Sequence, residues 1–342
     1  MVWISLASGL MEDVPWTLYL SAVGTGLIFG YVAQRGGFCF TRALSAAVLS
    51  RDLRLLRAGV LALIVATVGV QLLATLGLVD LPLRPLRWVA NIVGGLFFGA
   101  GMILGGGDTA STWYRVGEGA IGAWVVLLGF ALGATTSGLG ILLPLRTLLQ
   151  RPTITIGDDG VPTLANVFGL SPWIIVAVLA VAGAVWLARG ARGAEGDRWS
   201  WPVTGVAVGV VIAGAWWTSA IGDRPVGIAL AVSTGHLLTY PLVGYPNRVT
   251  WSMLSTLGVP IGALVAAWTT GRFGWTLPAG SSLVRIFGGG LLMGASAIVA
   301  DGCNITQGLT NAVTLSLSSL LTLLAMIAGA SLTLRLLHTH QP

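Results

Sequence analysis

The sequence predicts an all-α polytopic membrane protein with about nine transmembrane helices plus four short re-entrant segments, arranged as two inverted pseudo-symmetric halves. Three observations predict it. Of the 342 residues, 55% are hydrophobic and only 9% charged, with a mean hydropathy of +0.87, more apolar side chain than a soluble core can hide. The apolar residues fall into runs long enough to cross a bilayer core, which takes roughly 20 residues of helix. One Gly-rich stretch occurs twice, at a constant offset of 195 residues.

Taken in order, the runs lie near 16–33, 57–79, 88–105, 120–143, 172–189, 201–220, 249–269, 285–300 and 313–336. Helices are the expected form because lipid offers no partner to an open sheet edge. Four shorter segments, 36–50, 108–117, 224–240 and 302–312, are too short to span and too rich in Gly, Ser, Thr and charge to face lipid. Backbone of that kind is stable at membrane depth where it is buried in protein or lines an aqueous cavity, so these segments read as half-helices turning back on a path. The stretches 144–171 and 189–200 read as extramembrane connections. The chain is thus one membrane domain, 1–342, with half-repeats 16–145 and 201–336 joined at 189–200.

The repeat aligns "GGLFFGAGMILGGGDTAS" (Gly94–Ser111) with "GGLLMGASAIVADGCNIT" (Gly289–Thr306) and sets Asp108 opposite Cys303. Five apolar runs separate the copies, an odd number, so the copies face opposite ways. Inverted repeats with Gly-interrupted segments at matching positions mark transporter folds whose substrate site lies near the midplane.

All 18 basic residues are Arg. In a soluble chain such a balance raises nucleic acid as a partner; here the charges sit in short loops and act first as topology signals, so no nucleic acid is expected. With the N-terminus outside, Arg35, Arg42, Arg51, Arg54, Arg57, Arg115, Arg189, Arg192, Arg198, Arg272, Arg285 and Arg335 fall on the cytoplasmic side and six on the other, with Glu12 and Asp13 at the N-terminal end. The first run lacks a basic n-region and a small-residue cleavage site and is expected to remain as a span. Trp16, Trp88, Trp173, Trp201 and Trp251 stand near run ends, as an interfacial belt would place them.

Two cysteines 264 residues apart form neither a disulfide framework nor a metal cluster, and no cofactor or metal is expected. Cys303 lies in "DGCN", with Gly302, Asn304 and Thr306 beside it. At the mouth of a half-helix a thiol meets exposed N–H groups and a positive dipole end. A lone Cys in a membrane helix also packs as a small apolar residue, yet packing needs no carboxylate and amide beside it at depth, where polar groups are costly and usually functional. Cys39 lies in "QRGGFCFTRAL", three residues before Arg42, which either steadies a thiolate or draws an anion, or serves only as a positive-inside anchor. Asp108, after Gly106 and Gly107 and before Thr109 and Ser111, has the spacing of a helix N-cap and could also act as a charged gate. Arg115 and Glu118 are spaced for an i, i+3 pair. His236 reads as hydrogen-bonded structure. Phosphate-loop, zincin and nucleophile-elbow patterns are absent.

At "RGGFCFTRAL", "GGLFFGAGMILGGGDTASTWYRVGEG" and "FGGGLLMGASAIVADGCNITQGL" the chain resembles the YeeE/YedE family of sulfur-transport-domain membrane proteins, and the likeness extends to "TGHLLTYPLVG" and "LGVPIGALVAAW". The resemblance implies a bacterial inner-membrane protein, which the arginine distribution orients with its N-terminus periplasmic and its C-terminus cytoplasmic, that takes up thiosulfate or a related small sulfur-containing substrate; some relatives are linked to selenium metabolism or to sulfur-oxidation regulation. In the thiosulfate carriers three cysteines hand the anion along a central path. Cys39 and Cys303 match two of them, and Asp108 stands at the third, where an ionised carboxyl repels a dianion and a protonated one donates a hydrogen bond. The implied path is Cys303, Asp108, Cys39, with Arg42, Gly106, Gly107, Thr109, Ser111, Gly302, Asn304 and Thr306 beside it. The alternative is a membrane-embedded sulfurtransferase or a sulfur-compound sensor, passing persulfide sulfur or a signal to a small cytoplasmic sulfur-carrier protein.

Overall fold

The computed structural model describes residues 16–82, 84–155, 161–190, 198–222 and 224–339. Glu12, Asp13 and Arg192 lie outside them. The described chain is helical, and isolated β-bridges such as Ala120 with Thr276 merely tie its loops.

Each half begins with a long helix, a short one and a long one, and then repeats that order. In the first half these are α1 (Trp16–Gly36), α2 (Phe40–Ser45, continued as a π-turn over Ala46–Ser50), α3 (Arg54–Thr75), α4 (Trp88–Gly105), α5 (Thr109–Gly117) and α6 (Ile121–Gly138). Three further helices follow: α7 (Leu143–Gln150), α8 (Leu164–Phe168) and α9 (Pro172–Ala188). The second half comprises α10 (Trp201–Gly222), α11 (Leu230–Val243), α12 (Trp251–Thr269), α13 (Gly280–Val299), an irregular helical run from Asn304 to Thr314, and α14 (Leu317–Thr339). Among the described residues eight helices are long and apolar enough to cross a membrane, and α9, at 17 residues, is the shorter apolar one. All four predicted short segments contain short helices; α11 starts later than expected and runs on to Val243, where Gly244 (φ 67°) caps its end.

Lipid supplies no hydrophobic force between helices, so they associate where small residues let backbones approach. Gly94 lies against Ala300, Gly101 against Met293 and Gly105 against Gly289, an order that makes α4 and α13 antiparallel. The flanking pairs use matching positions. Gly99 of α4 meets Met326 and Ala330 of α14, and Gly294 of α13 meets Phe130 and Ala134 of α6. Gly329 meets Leu96, and Gly133 meets Leu291. Likewise α1 packs on α12 through Gly26, Gly30, Gly258 and Gly262, and α3 on α10 through Gly205 and Gly209.

Two expectations change. The segment 144–171 is more than a connection: Gln150 at the end of α7 donates through Nε2 to the carbonyls of Ile298 (3.3 Å) and Val299 (3.0 Å), satisfying the end of α13. The tryptophans also divide. Trp16, Trp88 and Trp173 are exposed, as a belt requires, whereas Trp201 and Trp251 are buried, Trp251 donating to Ser21 Oγ at 3.1 Å. Position near a run end does not tell whether the indole points outward or into a helix contact.

Candidate functional site

Cys39, Asp108 and Cys303 share one local geometry: each immediately precedes the first residue of a short helix. A helix start leaves backbone N–H groups without partners, and a side chain at this position meets them. The chain reaches Cys39 through Gly37 (φ 58°), reaches Asp108 through Gly106 (φ 72°), and reaches Cys303 through Asp301 (φ 61°) and Gly302 (φ 153°). Left-handed backbone turns each long helix back on itself, which explains the glycines in all three motifs.

Asp108 is the best-satisfied of the three. Its Oδ1 accepts from the Ser111 backbone N–H at 2.7 Å while Ser111 Oγ accepts from the Asp108 N–H at 2.9 Å, a reciprocal capping box. Its Oδ2 accepts from the backbone N–H of Phe40, the first residue of α2, and from Asn304 Nδ2 at 3.3 Å. One carboxylate therefore joins the starts of three short segments, two from the first half and one from the second. It is fully buried, a position that a charge holds only with hydrogen-bond partners.

The thiols have weaker partners. Cys39 Sγ accepts from the backbone N–H of Arg42 at 3.4 Å, so the expected proximity of Arg42 is realised through its main chain. Cys303 Sγ lies 3.4 Å from Thr306 Oγ1 and is fully buried. Cys303 is next in the chain to Asn304, whose amide reaches Asp108; Thr306 thus serves the thiol and Asn304 the carboxylate. Both cysteines are free. Thr109 Oγ1, Thr41 Oγ1 and Asn304 Oδ1 are buried and have no hydrogen-bond partner.

Two polar cavities and one apolar chamber surround this centre. A cavity of about 440 Å³ is lined by Cys39, Arg42, Ser111, Tyr114, Arg115, Glu118 and Arg198. Another, of about 250 Å³, is lined by Arg146, His236, Thr239, Tyr245 and Asp301. Neither is lined by Asp108 or Cys303, both of which are fully buried. An apolar chamber of about 190 Å³ lies against Cys39 and Asn304, walled by Phe38, Phe40, Leu309 and Ile327 among others.

Residues 35–332 match the protein family described as sulphur transport. The chain belongs to that family. It is 33% identical over 316 residues to the thiosulfate transporter TsuA of Spirochaeta thermophila, covering 89% of this chain and 94% of that protein. It is 28% identical over 333 residues to the thiosulfate transporter TsuA of Escherichia coli, covering 92% and 93%. A probable transporter, YedE of Salmonella typhimurium, is 30% identical over 112 residues, 32% of this chain and 27% of that protein. A multi-pass membrane protein of the sulphur transport family, with curated relatives that are transporters, is a transporter rather than an enzyme.

Within this member of the sulphur transport family some expected contacts differ. Arg115 donates through Nη1 to the Gly106 carbonyl at 3.2 Å, and Glu118 accepts from Gln34 Nε2 at 3.1 Å, each serving a different partner from the i, i+3 mate its spacing suggested. Asp301 pairs with Arg84 of the α3–α4 connection at 3.0 Å. His236 stacks edge-on against Tyr245 at 5.4 Å. Sequence reasoning missed Gln307, which donates to the Ala300 carbonyl at 2.7 Å and accepts from Ser319 Oγ at 2.9 Å, and so ties the second short helix down. It missed Gln34 too, and read Arg198 only as a topology charge although it lines the cavity at Cys39. For the two glutamines, an amide inside an otherwise apolar or Gly-rich segment was the available signal.

Proposed function

We propose that this protein carries a small sulfur compound inward across the bacterial inner membrane, thiosulfate and its lower-charge relatives being the candidates, along a path that runs past Cys303, Asp108 and Cys39. One observation carries the assignment of the path: three residues at helix starts, drawn from both halves, converge around a single hydrogen-bonded centre, with Cys39 lining one polar cavity and Asp301, two residues before Cys303, lining another. Relatives named thiosulfate transporters supply the substrate class. The antiparallel packing of α4 on α13 supports an inverted repeat, in which the two halves rock about the centre and open it to one cavity at a time. An N-out, C-in orientation follows from the arginine distribution. In that frame the cavity at Cys39, rich in Arg, faces the cytoplasm and draws the anionic form of the cargo toward release, where a small sulfur-carrier protein can receive it.

Gly302 and Thr306 hold Cys303, Gly106 and Gly107 bring α4 round to Asp108, and Thr109 and Asn304 leave polar atoms for a passing solute. Proteoliposome uptake of labelled thiosulfate, sulfite and sulfide tests the assignment. Cys303→Ala and Cys39→Ala are each expected to cut uptake by about tenfold or more, the scale for loss of a specific polar contact in a buried path. Undiminished uptake in the double variant would remove the thiols from the path.

A further inference from the structure

We infer that Asp108 is a charge filter: its carboxylate stands, tethered to the chain, where the oxygens of a transported dianion would have to sit, so the carrier favours sulfur species of charge zero or minus one. The inference rests on the proposed sulfur-transport path and names the substrate class within it.

The occupancy is explicit. Oδ1 takes the Ser111 N–H, and Oδ2 takes the Phe40 N–H and the Asn304 amide. Each of these three contacts donates to the carboxyl oxygens, so the donors at this centre are already taken up by the chain itself. An incoming oxyanion needs those same donors, and finds them filled by oxygens of the protein's own acid.

What remains open beside Asp108 points the same way. Asn304, 3% exposed, spends its NH2 on the carboxylate and leaves Oδ1 buried without a partner. That free atom is an acceptor and calls for a donor. Asn304 also lines the 190 Å³ chamber with Cys39, and the other walls are mostly aliphatic and aromatic. Such walls cannot replace the hydration of a dianion but accept a small polarizable solute that carries an S–H. Hydrosulfide and its neutral acid suit such walls, the sulfur resting against Cys39, Asn304 and the apolar side chains. Thr109 Oγ1, fully buried and equally unpartnered at the start of α5, is a second polar contact of the kind a small solute can use.

The test is equilibrium binding to the purified full-length protein, with thiosulfate and hydrosulfide as separate probes, followed by competition between them for uptake in proteoliposomes. The wild type is expected to bind hydrosulfide in preference to thiosulfate; the opposite order overturns the inference without any variant. Asp108→Asn keeps an oxygen for the Ser111 N–H and removes the charge. It is expected to tighten thiosulfate binding about tenfold or more, the scale of freed hydrogen bonds to a charged group, with little gain for hydrosulfide. Asp108→Ser, which also retains a capping oxygen, repeats the measurement should the amide variant not fold. Thiosulfate affinity that is unchanged or weaker in a folded variant rejects the filter. Failure of the transport proposal reads differently: binding persists and no labelled sulfur compound crosses the membrane.

Discussion

The two copies of the Gly-rich motif share a glycine spacing and end in different helices. In the first copy, α4 turns at Gly106 into Asp108, whose capping box opens a regular nine-residue helix, α5. In the second, α13 turns through Asp301 and Gly302 into Cys303, and the run that follows is π-helical over Thr306–Thr310 and 3₁₀ over Ala312–Thr314. A carboxylate accepts strong hydrogen bonds from the first N–H groups of a helix; a thiol is a weak acceptor. In the second copy Gln307 instead donates back to the Ala300 carbonyl and so ties the run to the end of α13 rather than capping its own start. The first copy therefore combines anchorage and a site in one residue, and the second separates them, which leaves the Cys303 thiol free of a structural duty.

That contrast can be broken at three levels. The largest effect is expected where both copies depend on one another. A Cβ at Gly289 would overlap the backbone of Gly105, so Gly289→Leu should force α4 and α13 apart at a cost of roughly 3 kcal/mol or more. Size-exclusion chromatography should show lost or aggregated protein, and a monodisperse, active variant would contradict the close crossing. Next comes the pair Asp108→Ala and Cys303→Ala. The first removes a cap and strands the Phe40 N–H and the Asn304 amide, together roughly 3 kcal/mol. The second gives up a weak S···O contact and little volume, about 1 kcal/mol or less. Thermal unfolding should separate them widely even though both impair uptake; equal destabilisation would show that the thiol is structural as well. The smallest effect belongs to Arg84→Ala. Both partners of its ion pair with Asp301 are 36% exposed, so the loss should stay below about 0.5 kcal/mol, and a large drop in the unfolding midpoint would mean that this pair holds the Cys303 turn.

Legibility in the sequence followed the range of the forces involved. The runs 88–105 and 201–220 could be located closely because apolar length alone makes a spanning helix. Asp108 was readable as a cap because capping is a relation between residues three apart. The partnership of Arg84 with Asp301, across 217 residues, carried no local signal. The same holds for Gln150 on the end of α13 and for the burial of Trp251, since an indole near a run end suits an interface or a core equally well.

The three-residue path was what the family resemblance implied, while by itself the sequence determined the membrane class, the helical form, the twofold use of one Gly-rich motif and the cap at Asp108. Those follow from hydropathy, from the backbone freedom of glycine and from local hydrogen bonding. Only the tertiary structure decided that Phe40, Ser111 and Asn304 all donate to the one carboxylate, and that Asn304 Oδ1 is left without a donor. These are contacts between segments as much as 196 residues apart, fixed by how closely the glycine faces of α4 and α13 allow two chains to approach.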